Sequence, residues 1–106
     1  MTEEIPTRDD FAANKNTIFS VSFGPESTVD MKLVEVSEAK EQGRTERFSL
    51  LFLAPPNTPI IQSLFGIAHP VLGAMELFLV PVGQDEKGVE FEAVFNRIVK
   101  PKADYS

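Results

Sequence analysis

The chain of 106 residues has no cysteine and no tryptophan, and it has a single histidine and a single tyrosine. Without cysteine it can form neither a disulfide nor a thiolate site, which fits a reducing compartment. A zinc or iron site would have to combine His69 with carboxylates, and no ligand-like spacing of acidic residues surrounds that histidine. The sequence therefore predicts no metal and no cofactor.

Long apolar runs are also missing. The longest ones have the length of a strand and fall far short of the ~20 residues that a membrane helix needs. The N-terminal segment MTEEIPTRDD is acidic and polar, without the basic region and apolar stretch of a secretory signal. We expect a soluble, cytoplasmic protein that is able to join a larger assembly.

Positive charge is scarce, because ten lysines and arginines face sixteen aspartates and glutamates, for a formal net charge of −6. The basic residues are scattered and do not interleave with aromatic residues as a nucleic-acid surface requires. The six glycines stand singly, so that no phosphate-binding loop is present. Nine phenylalanines supply apolar area without a polar group, which favours a core. We expect neither a nucleic-acid nor a membrane partner.

The apolar pattern predicts one short helix followed by strands. Thr7 and Asp10 have the spacing of a capping box ahead of Phe11, and Asn14 and Asn16 end the helix. From Thr17 onward the period becomes two, which indicates strands. Six strands are predicted, with SEAKEQGRTE as a polar loop between the second and third: TIFSVSF, TVDMKLVEV, RFSLLFLA, IIQSLFGIA, AMELFLVPV and GVEFEAVFNRI. The third is apolar on both faces, and the fourth is weaker and interrupted by glycine.

Six strands separated by turn signals predict an all-β fold, namely a small six-stranded antiparallel barrel or sandwich of meander-like order with one short N-terminal helix. We expect a single β-domain at residues 7–100 between flexible tails at 1–6 and 101–106. The apolar phase slips after Leu33, which indicates a β-bulge. If Leu77 and Phe91 share a face, the turn between the last two strands must have three or five residues.

His69 opens the segment HPVLG, where Pro70 favours an extended conformation at the histidine. At such a corner the imidazole can bond backbone groups, which is a structural role. A place in an interface and a catalytic role with Ser63 are the alternatives. Catalysis lacks both a nucleophile-elbow pattern and an orienting carboxylate.

Other polar pairs have ordinary explanations beside functional ones. Glu90 and Glu92 lie about 6.5 Å apart on one strand face, a spacing that glycosidase carboxylates also have, but a solvated face gives the same pattern. Asp85 with Glu86 suits a turn better than a calcium loop. Asn96 and Arg97 follow the apolar run FEAVF and could anchor an interface. Alternatively, the arginine pairs with a nearby glutamate and the asparagine closes a turn.

Four strings along the chain, FSLLFLAPP, IIQSLFGIAHPVLG, MELFLVPVG and FEAVFNR, together resemble a family of small bacterial proteins of unknown function. The match is most specific in the last third of the chain, at LFLVPVG and AVFNR. The resemblance covers residues 17–98 and places eight residues on motif positions: Gln62, His69, Leu72, Gly73, Pro81, Phe95, Asn96 and Arg97.

The chain departs from that family at Ala54 and Ser63, where the family has glycine, and at Phe65 and Phe91, where it has tyrosine. The loss of both hydroxyls argues against tyrosine-dependent chemistry. The family is similar to proteins encoded near phage-tail-like and tail-collar-type proteins. The resemblance therefore implies a structural or assembly partner, and it implies no enzymatic activity.

We expect a non-enzymatic structural or interaction protein that acts through protein–protein contacts, either with itself or as an accessory to a phage-tail-like or fibre-type assembly. The candidate residues are Gln62, His69, Asn96 and Arg97, carried on an exposed strand edge or loop rim. A small ligand-binding barrel, with a cavity among four phenylalanines, is the alternative: Phe19, Phe52, Phe78 and Phe95. A hydrolase that uses His69 is the third reading.

Overall fold

A computed structural model describes residues 6–43 and 45–98, which form one helix and seven strands. The expected tails at 1–6 and 101–106 lie outside this part of the chain, apart from Pro6. The elements in chain order are α1 (Arg8–Ala13), β1 (Ile18–Ser22), β2 (Thr28–Val36), β3 (Lys40–Gln42), β4 (Thr45–Ala54), β5 (Ser63–His69), β6 (Gly73–Asp85) and β7 (Gly88–Ile98).

The short helix is capped as its sequence predicts. The Thr7 backbone N–H donates to the Asp10 carboxylate at 2.9 Å, and the Asp10 N–H donates to the Thr7 hydroxyl at 3.2 Å. Phe11 is fully buried, and its ring lies 5.5 Å from that of Phe95 and 6.3 Å from that of Phe19. Six residues are too few for an isolated helix, so docking of this ring is what stabilises α1.

Six of the strands close into an antiparallel barrel. The neighbours follow the order β2-β1-β5-β6-β7-β4, and pairing of β4 with β2 joins the two ends. The sequence allowed a barrel or a sandwich, and the structure is a barrel. Its all-β class and short N-terminal helix are confirmed.

The strand order is a Greek key, so the expectation of a meander was wrong. After β4 the chain does not form a hairpin with that strand. It crosses the barrel end, so that β5 pairs with β1 and the strand order is β5-β1-β2-β4. The connection, residues 55–62, contains three prolines. Proline cannot donate to a strand ladder, which suits this segment to crossing the barrel end.

The polar segment SEAKEQGRTE, expected to be a loop, contains strand β3. Lys40 pairs with Arg47 and Gln42 pairs with Thr45, and Gly43 turns the chain between them at a φ of +63°. This conformation is open to glycine without a Cβ clash. The sequence did not predict this strand, because its residues are charged or polar and show no apolar alternation.

The turn between β6 and β7 has two residues, Glu86 and Lys87, because Asp85 pairs with Gly88. The expected length of three or five was therefore wrong. A bulge between Pro81 and Gly83 shifts the register by one residue, which reverses the parity on which that expectation rested. The other bulge, after Leu33 in β2, is confirmed.

The barrel interior is built from alternate residues of the strands and is rich in phenylalanine. Phe19 and Phe52 meet edge to face with ring centres 5.3 Å apart, and both are fully buried. Leu77 and Leu79 point inward from β6 and Phe91 from β7. Phe78 is the exception among the predicted core phenylalanines, because half of it is exposed.

Candidate interaction surface

The structure does not bring the four candidate residues together. Gln62 precedes β5 and His69 ends it, so about 23 Å of strand separates them. Asn96 pairs with Arg47 near the start of β4, at the same end of the barrel as His69. The backbone of Arg97 pairs with Glu46, and its side chain lies outside the part of the chain that the structure describes. A single rim carrying all four does not exist.

His69 is buried, with 6% of its surface exposed, and it joins two parts of the barrel. Its Nδ1 accepts the backbone N–H groups of Val71 at 3.0 Å and Leu72 at 3.2 Å, inside the turn between β5 and β6. Its Nε2 lies 2.9 Å from the hydroxyl of Thr17, just before β1. The imidazole therefore holds the β5–β6 turn and ties it to the α1–β1 connection.

The hydrogen bonds assign the tautomer of His69. Because Nδ1 accepts two N–H groups, the ring proton is on Nε2 and is donated to the Thr17 oxygen. The Thr17 hydroxyl in turn donates to the Asn14 carbonyl at 2.6 Å. Burial lowers the pKa of His69 from its ordinary value of 6.5, in keeping with a neutral ring.

This environment offers His69 no catalytic partner of the kind that was considered. Ser63 lies at the opposite end of β5, about 20 Å along the strand. The bonded neighbours are a threonine hydroxyl and two backbone amides, and the ring packs against Phe19 with centres 4.3 Å apart. The geometry is that of a corner in the fold.

The cavity expected among four phenylalanines is not formed. Phe19 and Phe52 lie in the core, whereas Phe78 lies on the outside of the barrel. Phe95 stacks on Phe48 with ring centres 4.7 Å apart. The four rings therefore do not lie together.

An exposed apolar surface covers the outside of β5 and β6, and the sequence reasoning did not identify it. Leu64 and Phe78 are directly opposite in the β5–β6 ladder, with 58% and 50% of their surfaces exposed. Ile60 and Ile61, in the segment leading into β5, and Val82, in the bulge of β6, are exposed as well. We call these five residues the apolar face. Gln62 lies between two of them in sequence and is itself exposed.

The one available signal for this face was the pair of strings SLFGI and ELFLV, in which apolar residues occupy both alternating sets. That pattern is also typical of a strand covered on both sides. Only the fold shows that the second set faces outward.

Acidic residues border the apolar face. Glu76 lies two residues before Phe78 on the outer side of β6, and Glu92 of β7 pairs with Val80. A Cβ added to Gly83 would lie 2.9 Å from Oε1 of Glu90, so this carboxylate lies over the β6 bulge, next to Val82. We call Glu76, Glu90 and Glu92 the acidic border. Glu90 and Glu92 thus stand on an outer sheet face.

Within the described ranges, no cluster of three or more histidine or acidic residues could hold a metal ion. In the same ranges, no helix is long and apolar enough to cross a membrane.

The fold and this surface define a small closed β-barrel of Greek-key order with an exposed apolar sheet face. A family model described as a domain of unknown function (DUF6916) matches residues 6–95, and the chain therefore belongs to this family. The resemblance to a family of unknown function is confirmed to this extent. No curated protein and no solved structure matches the chain.

Proposed function

We propose that this protein is a non-enzymatic interaction module that binds another protein through the apolar face. The observation that carries the proposal is the adjacent pair Leu64 and Phe78, each at least half exposed on a rigid sheet. Clusters of exposed apolar side chains on soluble domains mark sites of contact with other macromolecules.

Burial of the exposed parts of Leu64 and Phe78 would contribute to the free energy of binding. Full burial of one leucine or phenylalanine side chain contributes about 1.5–3 kcal/mol, and about half of each remains available here. Both residues are held by the β5–β6 ladder, so docking would order few side chains and would lose little conformational entropy.

Contact through the sheet face replaces the strand edge that the sequence suggested. β4 pairs with β2 and closes the barrel, so the six barrel strands do not form an open sheet with two long edges. In the described part of the chain, only the three-residue β3 stands at the end of the strand order. Such a short edge is a poor template for strand addition.

The proposed setting is an accessory role in a phage-tail-like or fibre-type assembly. Its support is the resemblance of LFLVPVG and AVFNR, and the first of these strings lies on β6 and contains Phe78 and Val82 of the apolar face. A tail or fibre component is accordingly the partner that the experiment should identify.

Site-specific photo-crosslinking in the native host tests the proposal. A photoreactive amino acid at position 64 or 78 should give a discrete adduct with one other protein. Position 71, where Val71 is exposed in the β5–β6 turn away from the apolar face, is the matched control. A tail or fibre protein in the adduct would support the proposed setting. Adducts absent from 64 and 78, or identical at 71, would contradict binding through this face.

A further inference from the structure

The two strands that carry the apolar face, β5 and β6, contain no positively charged residue. Between Arg47 and Lys87 the chain has no lysine or arginine, and this interval includes all of β5 and β6. β7 continues without one as far as Asn96. In the acidic border, Glu76 and Glu90 therefore have no basic residue on the same stretches of strand, whereas Glu92 lines a surface pocket together with Lys40 and Arg47.

The carboxylates lie on two sides of Phe78. Phe78 lies two residues from Glu76, which is about 6.6 Å along the strand. On the other side Val80 pairs with Glu92, and the Glu90 carboxylate covers Gly83. The residues beside Glu76 on the outer side of the sheet are small, because Gly66 of β5 pairs with Glu76 and Ala68 pairs with Ala74. The surface is thus flat around Glu76.

This charge pattern discriminates among occupants of the face. In a symmetric contact between two copies, the same three carboxylates of each copy would approach one another, which costs free energy. An anionic lipid surface would be repelled for the same reason. A surface that combines apolar side chains with lysine or arginine would contact the apolar side chains and pair with the carboxylates.

We propose that the apolar face with its acidic border binds a cationic, apolar surface of a different protein. This inference rests on the proposed function, because it names the chemistry of the partner for the same site. The apolar contacts supply affinity, and the carboxylates select against neutral and acidic partners and speed the encounter.

Peptide binding measured by fluorescence anisotropy tests the inference on the full chain. The probes are three ten-residue peptides in which valine and phenylalanine alternate with lysine, serine or glutamate. The wild type should bind the lysine peptide most tightly, and added salt should weaken that binding. The triple variant Glu76→Gln, Glu90→Gln, Glu92→Gln should weaken it by about fivefold or more.

A matched triple variant separates the border from overall charge. Glu26→Gln, Asp30→Asn and Glu35→Gln also move the formal net charge from −6 to −3 but lie on or beside β2. This control should change the affinity less than twofold. Equal weakening by both triples would overturn the inference, because it would show a general attraction between charges.

The remaining outcomes separate the inference from the proposed function. The variant Leu64→Thr, Phe78→Thr keeps strand-forming residues and should weaken all apolar peptides. If the serine peptide binds the wild type as tightly as the lysine peptide and this variant loses both, the face binds protein but the cationic partner is wrong. If no peptide binds, both the inference and the proposed function fail.

Discussion

At the scale of single residues, His69 contributes to the fold through three hydrogen bonds. Its neutral ring accepts two backbone N–H groups at Nδ1 and donates from Nε2 to Thr17. Protonation would place a hydrogen on Nδ1, facing the N–H groups of Val71 and Leu72. The β5–β6 turn then loses the acceptor that holds it, whereas the hydrogen bond from Nε2 to Thr17 remains.

The stability of the protein should therefore depend on pH through His69. Because burial lowers the native pKa below 6.5, the unfolded chain binds the proton more readily than the native chain. The contribution of the histidine is complete well above pH 6.5 and is lost as the pH falls through 6.5 toward the native pKa. Urea unfolding between about pH 7.5 and pH 5.5 measures this loss.

The variant His69→Asn is the reference for that measurement. It should be less stable than the wild type at neutral pH by about 1–3 kcal/mol, because buried N–H groups lose their acceptor. The difference between the two proteins should shrink on acidification. A difference that stays constant or grows would contradict a neutral His69 with a lowered pKa.

Gly88, the first residue of β7, is a second position where one side chain would matter. A Cβ there would overlap the carbonyl oxygen of Ala54 at the end of β4, and the φ of +150° also disfavours other residues. Gly88→Ala should destabilise the fold by more than about 2 kcal/mol. Gly43→Ala shares a positive φ but meets open space, and it should cost only about 1–2 kcal/mol. Equal costs in thermal unfolding would show that the close approach to Ala54 is absent.

At the scale of elements, α1 acts as a cover for one end of the barrel. Its only buried residue is Phe11, whose ring meets those of Phe19, Phe48 and Phe95. A helix of six residues contributes little by itself, so its docking depends on this ring and on the hydrogen bond that Nε of Arg8 donates to the Ser37 carbonyl at 2.8 Å.

Phe11→Ala should lower the free energy of unfolding by about 3–5 kcal/mol, as expected for a buried phenylalanine. Thr7→Ala removes only the cap and should cost about 1 kcal/mol. Both changes are measured by urea unfolding followed by circular dichroism. A similar cost for the two variants would show that burial of the ring contributes no more to stability than the cap does.

The elements also show what the sequence could and could not predict. The helix cap and the bulge after Leu33 each leave a local mark, respectively a spaced polar pair and a slip of apolar phase. The bulge between Pro81 and Gly83 leaves none, since its residues are apolar or glycine. For that reason the turn length that depended on it was predicted wrongly.

At the scale of the whole molecule, closure and strand order depend on contacts between distant parts of the chain. The six barrel strands were visible as alternating runs, but nothing local specifies that β4 meets β2 or that β5 lies beside β1. The apolar face was missed for a related reason. Leu64 and Phe78 alternate with Phe65 and Leu77, and only the closed barrel shows which set is inside.

If the apolar face is a site for a different protein, it should be free in the isolated chain. Double substitution of Leu64 and Phe78 by threonine should therefore leave fold and mass unchanged. The matched change Ile18→Thr, Val71→Thr alters exposed apolar residues elsewhere and should behave in the same way. Far-ultraviolet circular dichroism checks the fold of both variants.

Native mass by light scattering across a wide concentration range tests the central claim most directly. We expect the wild type to be a monomer at every concentration, because the acidic border opposes contact between two copies of the apolar face. Oligomers that grow with concentration in the wild type, and that disappear in the Leu64→Thr, Phe78→Thr variant, would contradict it. Such a result would show that the apolar face is a contact of the protein with itself.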